Sequence, residues 1–165
     1  MAANSGTQAN IEPPIKLALI CGECDTYTEL QKKKAKEPGF ERDHIPSKAA
    51  LRDAAIQRYL PKILNKDQIK CVARKVEARG ITVAIPRPCH RHFSPTCGAN
   101  NTKKQLELDA ASPESLAAAV DRDLAAMPQH LDFACREAYA QAAMRIKEHD
   151  NEDMIDKATK ECTKK

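Results

Sequence analysis

The sequence predicts an α+β chain that is mostly helical, with a few short strands in its middle. Three observations carry this expectation. Apolar residues make up 42% of the 165 residues, yet aromatics are 4% and Trp is absent, so the core is built from small side chains, as in close-packed helices. Start and stop signals for helices recur, most clearly Ser112-Pro113-Glu114 with Pro128, and a run ending at Gly80. One segment alone, Ile81-Thr82-Val83-Ala84-Ile85, has the short β-branched character of a buried strand. The length suits one domain with a single core.

Residues 1–14 are small and polar and close on Pro13-Pro14, which reads as a flexible segment or linker. Residues 15–165 then form the domain, with a core over about 15–110 and C-terminal helices over 112–160. The apolar run at 15–20 is short enough for a strand, though length alone does not decide. Residues 28–36 carry Lys32, Lys33, Lys34 and Lys36 and form a polar helix or exposed loop ended by Pro38-Gly39.

Ser47 is a helix N-cap, followed at helical spacing by Leu51, Ala54, Ala55 and Arg58 up to Pro61. Asp67 caps the next helix, which places Ile69, Val72, Ala73 and Val76 on one face and ends at Gly80. After the strand, Pro86 and Pro88 break the backbone, and residues 91–94 resume as the second strand of a small hairpin. Residues 101–109 form a helix anchored by Leu106. Ser112 caps another that runs to Met127. A long helix from His130 aligns Leu131, Cys135, Ala138, Ala142 and Ile146. The charged tail from Asp150 is expected to fray.

The formal charge of +4 is compatible with an anionic partner and with an ordinary soluble protein. Seven cysteines, odd in number and widely spread, do not resemble a compact secreted disulfide scaffold. Cys71 and Cys135 fall on apolar helical faces as small buried hydrophobes. No apolar run approaches the ~20 residues that span a bilayer, and residues 1–10 lack the basic and apolar regions of a secretory signal.

Chemistry concentrates in two stretches. In Glu41-Arg42-Asp43-His44-Ile45-Pro46-Ser47, an imidazole titrating near neutrality is a general base, and the adjacent carboxylate suits a hard divalent cation such as Mg²⁺. In the second stretch, 92–102, Gly98 permits a tight bend. Asn101 offers a carbonyl oxygen from the first turn of a helix, whose N-terminus favours phosphate. His92, Ser94 and Thr96 alternate, so as a strand they would share a phosphate-facing surface, joined by Arg42. His90, beside Cys89 and Pro88, is off this pattern and reads as structural. The expectation is that the two stretches meet around one divalent cation and cut nucleic acid.

The pattern Glu-x-Asp-His-x-Pro-Ser at 41–47, with His-x-Ser-x-Thr-x-Gly-x-x-Asn at 92–101, resembles the HNH/endonuclease VII (His-Me finger) superfamily. More narrowly, it is similar to the nuclease toxin domains of bacterial polymorphic toxins and type VI secretion effectors. The resemblance covers about residues 15–110. It implies a ββα-metal core with added helices that hydrolyses DNA phosphodiester bonds with Mg²⁺ or another divalent cation. By resemblance His44 is the general base, Asp43 a metal ligand, Asn101 the helix-borne ligand, and His92 a ligand or phosphate contact. A toxin of this kind implies a cognate immunity protein, a secretion carrier, and action in the cytoplasm of a target bacterial cell after residence in that of the producer.

There are departures. Cys97-Gly98-Ala99 stands where members carry Tyr-Gly-Gly, Asn100 adjoins Asn101, Asp109 offers another carboxylate, and two helices intervene between the motifs. Cys21-x-x-Cys24 fits half of a treble-clef Zn²⁺ site, to be completed by Cys89, Cys97 or a histidine. The competing reading is a zinc-stabilised module that binds nucleic acid or protein without catalysis. A thiol oxidoreductase built on Cys21 and Cys24 lacks the βαβ pattern it needs.

Overall fold

A computed structural model describes residues 18–33, 39–59 and 64–164. The expected linker at 1–14, most of the apolar run at 15–20, Lys34, Lys36 and Pro61 lie outside them. In order, the elements are β1 (Cys24–Thr26), α1 (Tyr27–Gln31), β2 (Phe40–His44), α2 (Lys48–Tyr59), α3 (Lys66–Arg79) and β3 (Ile81–Pro86), then α4 (Arg87–Phe93), α5 (Lys103–Ala110), α6 (Pro113–Ala126), α7 (Phe133–Glu148) and α8 (Asn151–Thr163). The mostly helical α+β class is as the sequence predicts.

The β-branched run becomes the middle strand of an antiparallel sheet ordered β1-β3-β2. Residues 81–85 are all buried, which is why the run reads as continuously apolar rather than alternating. Glu41 pairs with Ile85, Asp43 with Val83 and His44 with Thr82. Directly opposed residues share a face. Glu41 and Asp43 therefore stand with Val83 and Ile85, on the face where those two pack against Val120, Leu124, Tyr139 and Ile146 of α6 and α7. Arg42 and His44 stand on the other face, where Ala84 meets Leu19 and Leu30.

Helices α2 and α3 leave the sheet and return to it, forming a second apolar cluster with α6 and α8 through Leu51, Ala54, Val76, Leu116, Ile155 and Ala158. The Ser47 cap holds: its hydroxyl accepts from Ala50 N–H at 3.1 Å. At α3 the cap is Asn65 rather than Asp67. Asn65 Oδ1 accepts from the backbone of Asp67 and Gln68, and Gln68 reaches back to the Asn65 N–H, a reciprocal pair that satisfies more orphan donors than Asp67 would.

Four other expectations are corrected. Residues 91–94 are not a strand: 87–93 form α4, because Pro88 falls in the first helical turn, where its missing N–H has no partner to lose. Asn101 precedes α5, which is capped by Thr102, so it does not lie in that helix's first turn. The charged C-terminus does not fray; α8 buries Met154, Ile155, Ala158 and Thr159. Cys71 and Cys135 are not solitary hydrophobes, since disulfides join Cys71 to Cys162 and Cys21 to Cys135 across 91 and 114 residues. Such long-range pairings leave no trace in local spacing.

Candidate functional site

Strand β2 is an edge of the sheet. Neighbouring strand residues point to opposite faces, so Asp43 and His44 meet a common space only where the strand's free edge is exposed to both. A cavity of about 250 Å³ occupies that place, lined by Tyr27, Arg42, Asp43, His44, His90 and Thr96 among others.

His44 is 7% exposed. Its Nε2 lies 3.0 Å from the carbonyl oxygen of Glu77, near the end of α3. A carbonyl only accepts, so Nε2 carries the proton and Nδ1 keeps its lone pair. The ring stacks on Tyr27 with centroids 4.9 Å apart. Gly80 makes room for it, because a Cβ there would come within 3.2 Å of His44 Cδ2 and 3.0 Å of a Leu51 methyl. Burial holds the His44 imidazole below its ordinary pKa, opposed by the Glu77 carbonyl. The result is a neutral, oriented imidazole able to accept a proton.

Asp43 is 1% exposed. Ser94 Oγ donates to its Oδ2 at 2.7 Å, Thr96 Oγ1 donates to its Oδ1, and His90 Nε2 lies 3.4 Å from Oδ1. Oδ2 retains a further lone pair, whereas Oδ1 faces both Thr96 and His90. Ser94 closes α4 and Thr96 follows in the turn, so Ser94 and Thr96 do sit together, but by capping a helix rather than by strand alternation, and their hydroxyls are directed at Asp43. Asn100 fixes that turn through its side-chain amide, which donates to the Ser94 carbonyl at 3.1 Å.

Glu41 anchors α4 to β2. Arg87 and Arg91 meet Oε1 at 3.1 and 2.7 Å, and His90 Nδ1 meets Oε2 at 2.7 Å. Residues 87, 90 and 91 share one helix face by their i, i+3, i+4 spacing. Burial opposes the charged form of His90, but Asp43 and then Glu41 outweigh it and raise its pKa. Glu41 is lowered despite its desolvation, chiefly by Arg91 and His90.

The other candidate residues are placed as follows. Arg42 lines the cavity and donates from Nη2 to the Lys33 carbonyl at 2.8 Å. His92 is exposed on α4 and Asn101 lies just beyond the turn; neither is among the residues lining the cavity. Cys21 is bonded to Cys135, and a disulfide sulfur offers no thiolate. Cys24 is buried, which pushes its thiol up to about 11. The structure therefore does not present Cys21 and Cys24 as a ligand pair. Among the described residues no group of three or more His, Cys, Asp or Glu side chains gathers as a metal cluster.

His90, read from the sequence as structural, joins the site, as do Glu41, quoted in the motif without a role, and Glu77, which no motif included. Arg87-x-x-His90-Arg91 is a helical spacing that would have revealed the inward face of α4 had the two prolines not been taken as breakers. Glu77 acts through its backbone, which no side-chain pattern records.

Fold and site together define an α+β chain in which an antiparallel strand pair, β2 and β3, is followed directly by a helix, with an adjacent carboxylate and neutral imidazole at the strand edge. Among known proteins the chain is similar to Deoxyribonuclease CdiA of Dickeya dadantii (strain 3937), at 36% identity over 102 residues, 62% of this chain. It spans 3% of the length of that relative. No family model and no solved structure matches it. No helix among the described residues is long and apolar enough to cross a membrane.

Proposed function

We propose that this chain is a metal-dependent endonuclease domain of the His-Me finger type that hydrolyses DNA. The observation that carries the reading is His44: a buried imidazole, proton on Nε2, base on Nδ1, next to a buried carboxylate at an open strand edge. The likeness to part of a deoxyribonuclease supports the choice of substrate.

In this reading Nδ1 of His44 takes a proton from a water as that water's oxygen bonds to phosphorus and the opposite P–O bond breaks. The Glu77 carbonyl keeps the ring in the competent tautomer as the positive charge develops. Asp43 and His90, with Asn101 as a further candidate, would hold a divalent cation. A single carboxylate with several retained waters suits Mg²⁺, whereas an imidazole ligand favours a softer divalent cation. When bound, the cation supplies charge that stabilises the phosphorane-like oxygens and the leaving oxygen. Ser94 and Thr96 hold Asp43, while Arg42, which lines the cavity, offers a contact to a backbone phosphate.

We further propose that the domain is the toxic part of a larger secreted protein. It would be borne by a carrier, act in the cytoplasm of a target bacterium, and be neutralised in the producer by an immunity protein that covers this cavity. The test is plasmid degradation with Mg²⁺ by the parent and by His44→Ala. Loss of cleavage in the variant, with fold retained by circular dichroism, is expected; equal cleavage by both defeats the proposal.

A further inference from the structure

The chain has three phenylalanines and no tryptophan. Two of the three lie in solvent: Phe93 is 47% exposed and Phe133 77%. So small an aromatic stock makes this placement informative, because each exposed ring forgoes burial in a core that lacks large side chains.

Phe93 is the last residue of α4. It follows His90 by three positions, on the same side of the helix and about 4.5 Å further along its axis. It immediately precedes Ser94, which holds Asp43. Its ring lies flat on His130, with centroids 3.8 Å apart and planes 3° from parallel. His92 tilts against it at 6.1 Å. One face of the Phe93 ring is covered by His130, and the ring remains half open to solvent. Phe133 follows His130 by three residues at the start of α7. Arg91 and Arg136 are exposed on α4 and α7, the helices that carry Phe93 and Phe133, with Arg91 paired to Glu41.

We infer that the Phe93–His130 pair is a stacking shelf for one unstacked nucleobase of the strand whose phosphate enters the Asp43–His44 cavity. The inference rests on the nucleic-acid reading of that cavity. Every base has a π-face, so an aromatic shelf beside a cationic groove takes single strands or distorted duplexes with little regard to sequence. The imidazole beneath keeps the Phe93 ring in one orientation. The Asn100 amide, bonded to the His92 and Ser94 carbonyls, ties the end of α4 to the turn that holds Asp43. Shelf and cavity therefore move as one piece.

The absence of tryptophan supplies the test. The full chain carrying Phe93→Trp has one indole. It is titrated in EDTA, where no cleavage occurs, with a short oligodeoxythymidylate and with an abasic deoxyribose-phosphate oligomer of equal length. Saturable quenching by the first and little by the second is expected; equal responses overturn the proposal. In parallel, Phe93→Leu keeps an apolar cover on His130 but offers no π-face. It should raise KM for a single-stranded oligonucleotide roughly ten-fold with kcat nearly unchanged. An unchanged KM overturns the shelf, and is also the result if these rings dock a protein instead. Absence of nuclease activity in the parent would defeat the proposed function alone, because quenching is read without turnover.

Discussion

Replacing Ser94 by Ala tests whether the buried carboxylate is held from α4. Ser94 is fully buried and donates to Asp43 Oδ2 at 2.7 Å. A hydrogen bond to a charged group contributes about 1.5–3 kcal/mol. The same hydroxyl accepts from the Thr96 N–H at 3.2 Å, and losing that acceptor adds up to about 1 kcal/mol. Removing one oxygen leaves almost no cavity, so these two losses dominate. The metal-free variant should be about 2–4 kcal/mol less stable, which for a urea m-value of about 2 kcal/mol/M lowers the midpoint by about 1–2 M. Urea unfolding of the parent, Ser94→Ala, Asp43→Ala and the double variant closes a thermodynamic cycle. A coupling of about 1.5–3 kcal/mol is expected between the two positions. A coupling below about 0.5 kcal/mol would refute the claim that Ser94 positions Asp43.

Four further outcomes are expected. The two site histidines should titrate on opposite sides of the ordinary value of 6.5 in the metal-free protein, His44 below it and His90 above it; imidazole proton NMR in the reverse order would contradict the burial argument. The signs for stability differ accordingly. The His44 contribution is complete above 6.5 and lost as pH falls through its folded pKa, whereas that of His90 is complete below 6.5 and lost as pH rises through its folded pKa. Because His90 must give up its proton to bind a cation, Mn²⁺ binding followed by calorimetry in two buffers should release a proton from the parent, and His90→Ala should weaken binding more than Asn101→Ala. Gly80→Ala should lower kcat by crowding His44, with a smaller effect on KM. Cys71→Ser, measured under oxidising conditions against the parent, should cost about 2–4 kcal/mol in urea unfolding, since the disulfide closes a long loop.

The sequence pointed to candidate residues more clearly than to the geometry that joins them. Asp43 and His44 could be chosen because their functional types stand side by side. Ser94 and Thr96 could be singled out, but on a false premise: they converge on Asp43 because one caps α4 and the other follows in its turn. Pro88 concealed that helix. A proline breaks a helix interior and is tolerated in the first turn, and only knowledge of where the turn begins separates the two cases. The charged C-terminus misled in a similar way. Its apolar residues 154, 155 and 158 occupy one narrow stripe, which mean composition obscures and a packed neighbour makes decisive. The disulfides were beyond reach, because the partners lie 91 and 114 residues apart.

The stretch between the two motifs proves to be part of the site rather than an interruption of it. Helices α2 and α3 carry the chain out from His44 and back to β3, and the return delivers two things to the imidazole: the Glu77 carbonyl that fixes its tautomer and the bare Cα of Gly80 that admits its ring. The pair is secured on its far side by α8, through Val76, Ile155 and Ala158 and the Cys71–Cys162 bond. Removing α8 by truncation after Glu148 would thus expose the apolar side of α3 and loosen the carbonyl that orients His44. His44 should lose its fixed tautomer before Asp43 loses its contacts, because Ser94 and Thr96 hold Asp43 from the opposite side of the sheet. The C-terminal helix thus bears on His44 at a distance, through the one backbone oxygen that decides which of its nitrogens is free.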